Sequence, residues 1–265
     1  KWIILAGLLT AVFVHGHSIF GAAEKADGKH EIKLTVLYDN YQVDPRTQNE
    51  WGFACLVEGM ERTVLFDCGG KPDVLKHNMN SLGIDSSKID DIVISHNHWD
   101  HIGGISYLIN QKQKFRLYLP SSVQQHKLSY FRASGSEVLS GTNAHRICKR
   151  IHLAGEIGDR IKEQALIIDS RRGLVVITGC SHPGIIEMVR QAKEYLNKEV
   201  YMVLGGFHLM RHSDDQVKAI IRSLKELGIQ KCGATHCTGD RQIRLFSEAF
   251  GKDYIKIGSG KIILI

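Results

Sequence analysis

The chain has no internal repeat and no low-complexity tract, which excludes solenoid, propeller and fibrous architectures. No apolar run reaches the roughly 20 residues that a membrane-spanning helix needs. Its six cysteines follow no regular spacing, so a disulfide framework does not underlie the fold. Charge of one sign is also scarce: 34 Lys and Arg stand against 28 Asp and Glu, a net +6 that suits a small anionic substrate but does not indicate nucleic acid. The local basic runs Lys112, Lys114, Arg116 and Arg146, Lys149, Arg150 read as solvated edges. What is present is 265 residues with 43% hydrophobic content, enough for one undivided domain with a large core.

Residues 1–23 read as a secretory signal peptide, with an apolar stretch from Trp2 to Val14 and the small residues Gly21-Ala22-Ala23 before Glu24. The reading predicts an exported protein, periplasmic or extracellular, with an uncleaved amino-terminal membrane anchor as the alternative. Residues 24–31 form a polar linker, and the folded domain occupies 32–265. Export permits disulfides, and Cys55 and Cys68 lie on two strands expected to pair, yet mostly buried free thiols are expected.

The most informative stretch is Ser95-His96-Asn97-His98-Trp99-Asp100-His101-Ile102-Gly103-Gly104, directly after the apolar strand pattern 91–94. In extended chain His96 and His98 project to one side, so two imidazoles can share a cation. Asp100 and His101 fall where the chain turns and are placed to serve a second metal. A single histidine is ordinarily a surface or satisfied core residue; four metal-binding side chains within six positions are not coincidence. Asn97 and Trp99 are expected to pack against the loop or cap it.

Periodicity and turn residues predict further strands over 32–38, 53–58, 63–67, 115–119, 166–169, 174–177, 199–204 and 231–235. Helices are predicted over 73–82, from Pro183 to about Leu196, and from a capping box at Ser213 to Gly228. Residues 129–146 read as a long flexible insert, a candidate lid over the site. Every candidate ligand follows a strand.

The His-x-His-x-Asp-His stretch resembles the signature of the metallo-β-lactamase superfamily, and Leu65-Phe66-Asp67-Cys68-Gly69 is similar to that family's early strand ending in an aspartate. The resemblance implies an α/β fold, a four-layer αβ/βα sandwich, with two divalent metal ions at the strand ends. Zinc is the first choice, and iron or manganese are alternatives. Asp67 would support the ligands rather than join them. Val175 to Gly184 resembles the strand and turn that carry a metal-bridging aspartate, but here Cys180 holds that position, as a ligand or as a small buried thiol. His182 is the candidate third imidazole of the first metal, preferred over His126, His145 and His152, which lack a strand-to-turn setting.

Gly205-Gly206-Phe207-His208 and Thr235-His236-Cys237-Thr238-Gly239 resemble, in motif order, the end of a ribonuclease Z type of domain. By that likeness His236 binds the second metal, and His208 is a general acid or substrate contact. Together with Gly179-Cys180-Ser181-His182-Pro183-Gly184, these motifs are similar to the subgroup of 7,8-dihydropterin-6-ylmethyl-4-(β-D-ribofuranosyl)aminobenzene 5'-phosphate synthase and its metal-dependent hydrolase relatives, over roughly residues 32–264. The leading expectation is a hydrolase with a metal-activated hydroxide oriented by Asp100, acting on a phosphate-containing or ester substrate. The alternative is synthase-type transfer, forming a C–N bond with loss of diphosphate. The export segment counts against transfer, because pterin intermediates are made in the cytoplasm.

Overall fold

The computed structural model describes residues 31–111, 114–141 and 143–265. The expected signal peptide, and all but the last residue of the linker, lie outside the described residues. The strands are β1 (Lys33–Tyr38), β2 (Ala54–Glu58), β3 (Val64–Phe66), β4 (Asp91–Val93), β5 (Arg116–Leu119), β6 (Glu137–Ser140), β7 (His145–Cys148), β8 (Ile151–Ile157), β9 (Glu163–Ser170), β10 (Gly173–Thr178), β11 (Val200–Gly206), β12 (Lys231–Thr235) and β13 (Ile262–Leu264). The α-helices are α1 (Pro72–Ser81), α2 (Trp99–Ile102), α3 (Ile105–Asn110), α4 (Gln125–Ala133), α5 (Ile185–Leu196), α6 (Asp214–Glu226) and α7 (Asp240–Phe250).

Among the described residues the strands form two mixed sheets, one in the order β13-β1-β2-β3-β4-β5-β6 and one in the order β12-β11-β10-β9-β8-β7. Strands β3, β4 and β5 run parallel, as do β10, β11 and β12, so the carboxyl ends of both sets carry the loops of the site. Both faces of each sheet are covered, which explains continuous apolar runs such as Leu174-Val175-Val176-Ile177. Val175 and Ile177 meet Leu34, Val36, Val57 and Phe66 between the sheets. Leu174 and Val176 instead pack under Met188, Val217 and Phe246 of α5, α6 and α7. On the first sheet Leu56, Leu65 and Ile92 lie under Leu75, Leu108 and Phe131. The result is the expected α/β sandwich, two sheets face to face with helices outside each.

Local signals hold where they are chemical. Pro72 opens α1, and Ser213 and Gln216 form the reciprocal cap of α6. The insert expected over 129–146 is regular structure instead. Its first part belongs to α4, which buries Leu128 and Phe131, and the rest supplies β6 and β7, the outermost strands of the two sheets. An edge strand has one partner and buries little, so β6 shows no alternation to read.

The basic run through Arg116 is not simply solvated, since Arg116 and Arg62 both pair with the buried Asp91. Cys55 and Cys68 are free, as are the other four cysteines. Cys55 faces the inter-sheet core and Cys68 the helix-covered face, so the two thiols cannot bridge. No described helix is long and apolar enough to cross a membrane.

Candidate metal centre

Loops following β3, β4, β10, β11 and β12 bring the predicted residues into one cluster. His96 Nε2 lies 3.0 Å from His98 Nδ1, and His182 Nε2 lies 3.3 Å from the same atom. These three imidazoles are one donor group; Asp100, His101 and His236 are another. Asp100 Oδ2 is 3.6 Å from His101 Nε2 and 3.4 Å from His236 Nε2. Cys180 Sγ stands 3.3 Å from His101 Nε2 and also groups with His96, placing it between the two sets. His208 lies at the mouth, its ring centroid 4.3 Å from that of His182. The histidines weighed against His182 are elsewhere: His145 lies by Tyr118 and His152 by Tyr195, both on strands, and His126 sits on α4.

Hydrogen bonds behind the cluster fix which nitrogen of each ring faces inward. Asp67 accepts from the Ser95 amide at 2.7 Å and from Ser95 Oγ at 2.8 Å. With its proton given to Asp67, Ser95 Oγ accepts from His96 Nδ1 at 2.9 Å, which leaves His96 Nε2 a lone pair toward the site. His101 Nδ1 donates to Asp67 at 2.7 Å, and His236 Nδ1 donates to Asn40 Oδ1 at 2.8 Å. The inward Nε2 of His236 is buried with no hydrogen-bond partner. A buried, unsatisfied imidazole nitrogen beside a carboxylate and a second imidazole is what a cation would complete, so the donor set fits a divalent metal.

Electrostatics carry the same sense. Burial alone would push the His101 imidazole down, but the Asp67 carboxylate outweighs it and holds the pKa at about 9. Burial and the neighbouring His208 bring His182 down to about 3, and burial among imidazoles takes His96 well below its usual value. Asp100, although burial opposes its ionisation, is held below the usual carboxylate range by His236 and His101. A hydrogen bond to the Cys237 sulfur raises His208. The site therefore sets the neutral imidazoles of His96, His98 and His182 beside an ionised Asp100 and a His101 ring that holds its proton against Asp67.

Backbone strain is concentrated in the same place. Asp67, Ser181, His208 and His236 all have positive φ, and Asn197, which ends α5, is the other non-glycine residue with that geometry among those described. Sequence reasoning missed Glu163, whose carboxylate accepts the amides of Cys180, Ser181 and His182 at 2.8 to 2.9 Å and so shapes the loop that carries two candidate ligands. Strand β9 was expected to begin at Leu166, and Glu163 lies just outside that run. Asn40 and Cys237 were also missed, the latter although it directly follows His236. Asn97 holds Ser122 and Gln124 across the loop, while Trp99 is 58% exposed.

Residues 52–185 match the profile of the Metallo-beta-lactamase superfamily. The chain belongs to that superfamily. Among its relatives in the superfamily, a 7,8-dihydropterin-6-methyl-4-(beta-D-ribofuranosyl)-aminobenzene-5'-phosphate synthase from Methanocaldococcus jannaschii is 29% identical, over 88% of this chain and 96% of that protein. The crystal structure of Tm1679, a metal-dependent hydrolase of the β-lactamase superfamily, is also 29% identical; it covers 88% of this chain and 98% of its own, with a TM-score of 0.74. Human tRNase Z, short form, shares the fold at 15% identity and a TM-score of 0.59, over 87% of this chain and 98% of its own.

Proposed function

We propose that this chain is a metal-dependent enzyme acting on a small phosphate-bearing substrate, and that its reaction is transfer of the kind named for the M. jannaschii relative. The choice of transfer over hydrolysis rests on the specific reaction named for that synthase, to which the likeness extends over 88% of this chain and 96% of that protein. It reverses the order in which the sequence ranked the two reactions. His96, His98 and His182 would hold one divalent ion, and Asp100, His101 and His236, with Cys180 between the groups, a second. Zinc is the first choice and iron or manganese the alternatives, and such ions supply Lewis-acid charge for a departing diphosphate.

The chain's own groups do the rest. A cleft of about 900 Å³ opens from His182 and His208 and is lined further out by Arg160 and Arg190, with Asp159, Glu187 and Glu194 among them. Arg190 pairs with Glu187 at 2.6 Å, and Arg160 is exposed at the rim, where it meets an anionic substrate end. An arylamine nitrogen attacks the pterin methyl carbon, the bond from that carbon to the diphosphate oxygen breaks, and the nitrogen passes its proton to water in the open cleft. His208, at the mouth of the site, is placed to protonate the leaving oxygen.

Hydrolysis is the second reading, supported by the likeness to Tm1679; there water attacks the phosphorus or acyl carbon of the substrate, the bond from that atom to the ester oxygen breaks, and the departing oxygen takes a proton. Export, read from Trp2 to Val14, goes with this second reading and counts against transfer; intact-mass analysis of the mature protein checks it, a chain beginning at Glu24 favouring hydrolysis and one retaining residues 1–23 counting against cleavage.

The deciding experiment incubates metal-loaded protein with a dihydropterin diphosphate and an arylamine ribofuranosyl phosphate, and separately with bis(p-nitrophenyl) phosphate. Coupled product with diphosphate release supports transfer. Turnover of the diester alone moves the assignment to hydrolysis, and turnover of neither overturns the enzyme reading. An Arg160→Ala variant is expected to raise KM about tenfold, roughly 1.4 kcal/mol of binding, with kcat little changed.

A further inference from the structure

The position that carries a metal-bridging carboxylate in the motif this loop resembles holds Cys180 here, and the second ion is left with Asp100, His101 and His236. A thiolate bridges two cations less readily than a carboxylate, so the exchange leaves the second position short of a donor. The geometry points to Cys237 as that donor: a terminal thiolate ligand that, with Cys180 and His236, makes the second metal position sulfur-rich. This inference rests on the metal-dependent reading above.

Three observations converge on Cys237. Its Sγ lies with Cys180 Sγ and a nitrogen of His236 in a fully buried group whose donor atoms are all within 4.8 Å of one another. It directly follows a predicted metal ligand, and consecutive residues ordinarily diverge. Here the positive φ of His236, in the short helical turn 236–238, directs both side chains to one centre. The neighbouring chain also makes room for it. A Cβ on Gly206 would come within 2.4 Å of the Gly179 carbonyl oxygen and 2.7 Å of Cys237 Sγ, so glycine at the end of β11 leaves room both for the neighbouring strand and for the sulfur.

Cys237 is 3% exposed; its sulfur makes one long hydrogen bond to the Cys180 carbonyl at 3.6 Å and has the side chains of Cys180 and His208 as its other partners. A buried thiol held to the main chain by so long a hydrogen bond, beside a His236 Nε2 that makes no hydrogen bond, is placed to act as a ligand. Two soft donors favour zinc, or another ion tolerant of sulfur, over manganese at this position.

Cobalt(II) reports thiolate ligation directly, through a near-ultraviolet sulfur-to-metal charge-transfer band. Metal-free protein is titrated with cobalt(II) alone, with bound metal counted by plasma mass spectrometry, for the wild type and for Cys180→Ser, Cys237→Ser and the double variant. The band is expected to fall by roughly half in each single variant and to vanish in the double variant. A Cys237→Ser protein that binds two cobalt ions with the full band overturns the proposal while leaving the metal-dependent reading intact. Wild-type protein that binds no metal overturns both. If Cys237→Ser fails to fold, X-ray absorption of the zinc-loaded wild type decides: two sulfur donors per chain support the assignment, and one or none rejects it.

Discussion

His101 ties proton and metal together at the level of a single residue. Because Asp67 holds its pKa at about 9, a cation reaching Nε2 meets a ring that is protonated at neutral pH and must lose that proton. Metal affinity is therefore expected to climb with pH, by up to tenfold per unit from this group, and to level off near pH 9. Asp67→Asn keeps an acceptor but removes the charge. The rising limb should then shift toward ordinary imidazole values while the plateau affinity drops about 10- to 100-fold, since the carboxylate also orients the ring. Competition with a chromogenic chelator across a pH series measures both; an unshifted limb would remove Asp67 from this role. His98→Ala is expected to lose about one metal per chain and at least about 100-fold in activity. A variant retaining both would sink the assignment of the first metal position.

Among elements, the turn after β10 depends on a residue from another strand. Glu163→Ala would strip acceptors from two buried amides and a half-buried one, each unsatisfied buried group costing about 1–3 kcal/mol, so a large drop in thermal midpoint is expected. Glu163→Gln, which retains a carbonyl oxygen, should lose less. Equal losses would mean that charge rather than hydrogen bonding shapes the turn. Such support was illegible in the sequence, because Glu163 and its three amides are 17 to 19 residues apart and meet only when β9 and β10 pair. The His-x-His-x-Asp-His run was legible because its chemistry is local, and α6 because its cap is. Edge strands β6 and β7 were not, nor was β8, whose Ile151 to Glu156 mixes apolar, small and charged residues. Cys237 was passed over for a different reason, since only the left-handed backbone at His236 turns a neighbour in sequence into a neighbour in the site.

Across the whole molecule the donors come from both sheets: His96, His98, Asp100 and His101 follow β4 of the first, and Cys180, His182 and His236 follow β10 and β12 of the second. A bound ion thus links the two, and its removal is expected to destabilise the entire sandwich. By linkage, free metal at a thousand times its dissociation constant contributes about 4 kcal/mol. Calorimetry with and without chelator should show the thermal midpoint falling on stripping and rising again with the logarithm of added zinc. A midpoint indifferent to metal would mean that the ligands are not shared between the sheets.

The placement of β13 has a consequence for synthesis. Every candidate donor is already in the chain by Cys237, whereas Ile262–Leu264, which pairs with β1 at the outer border of the first sheet, is translated afterwards. A chain translated only as far as Cys237 therefore carries every candidate donor while one flank of β1 is bare, an open border to which another nascent copy can add a strand until Ile262–Leu264 pairs there.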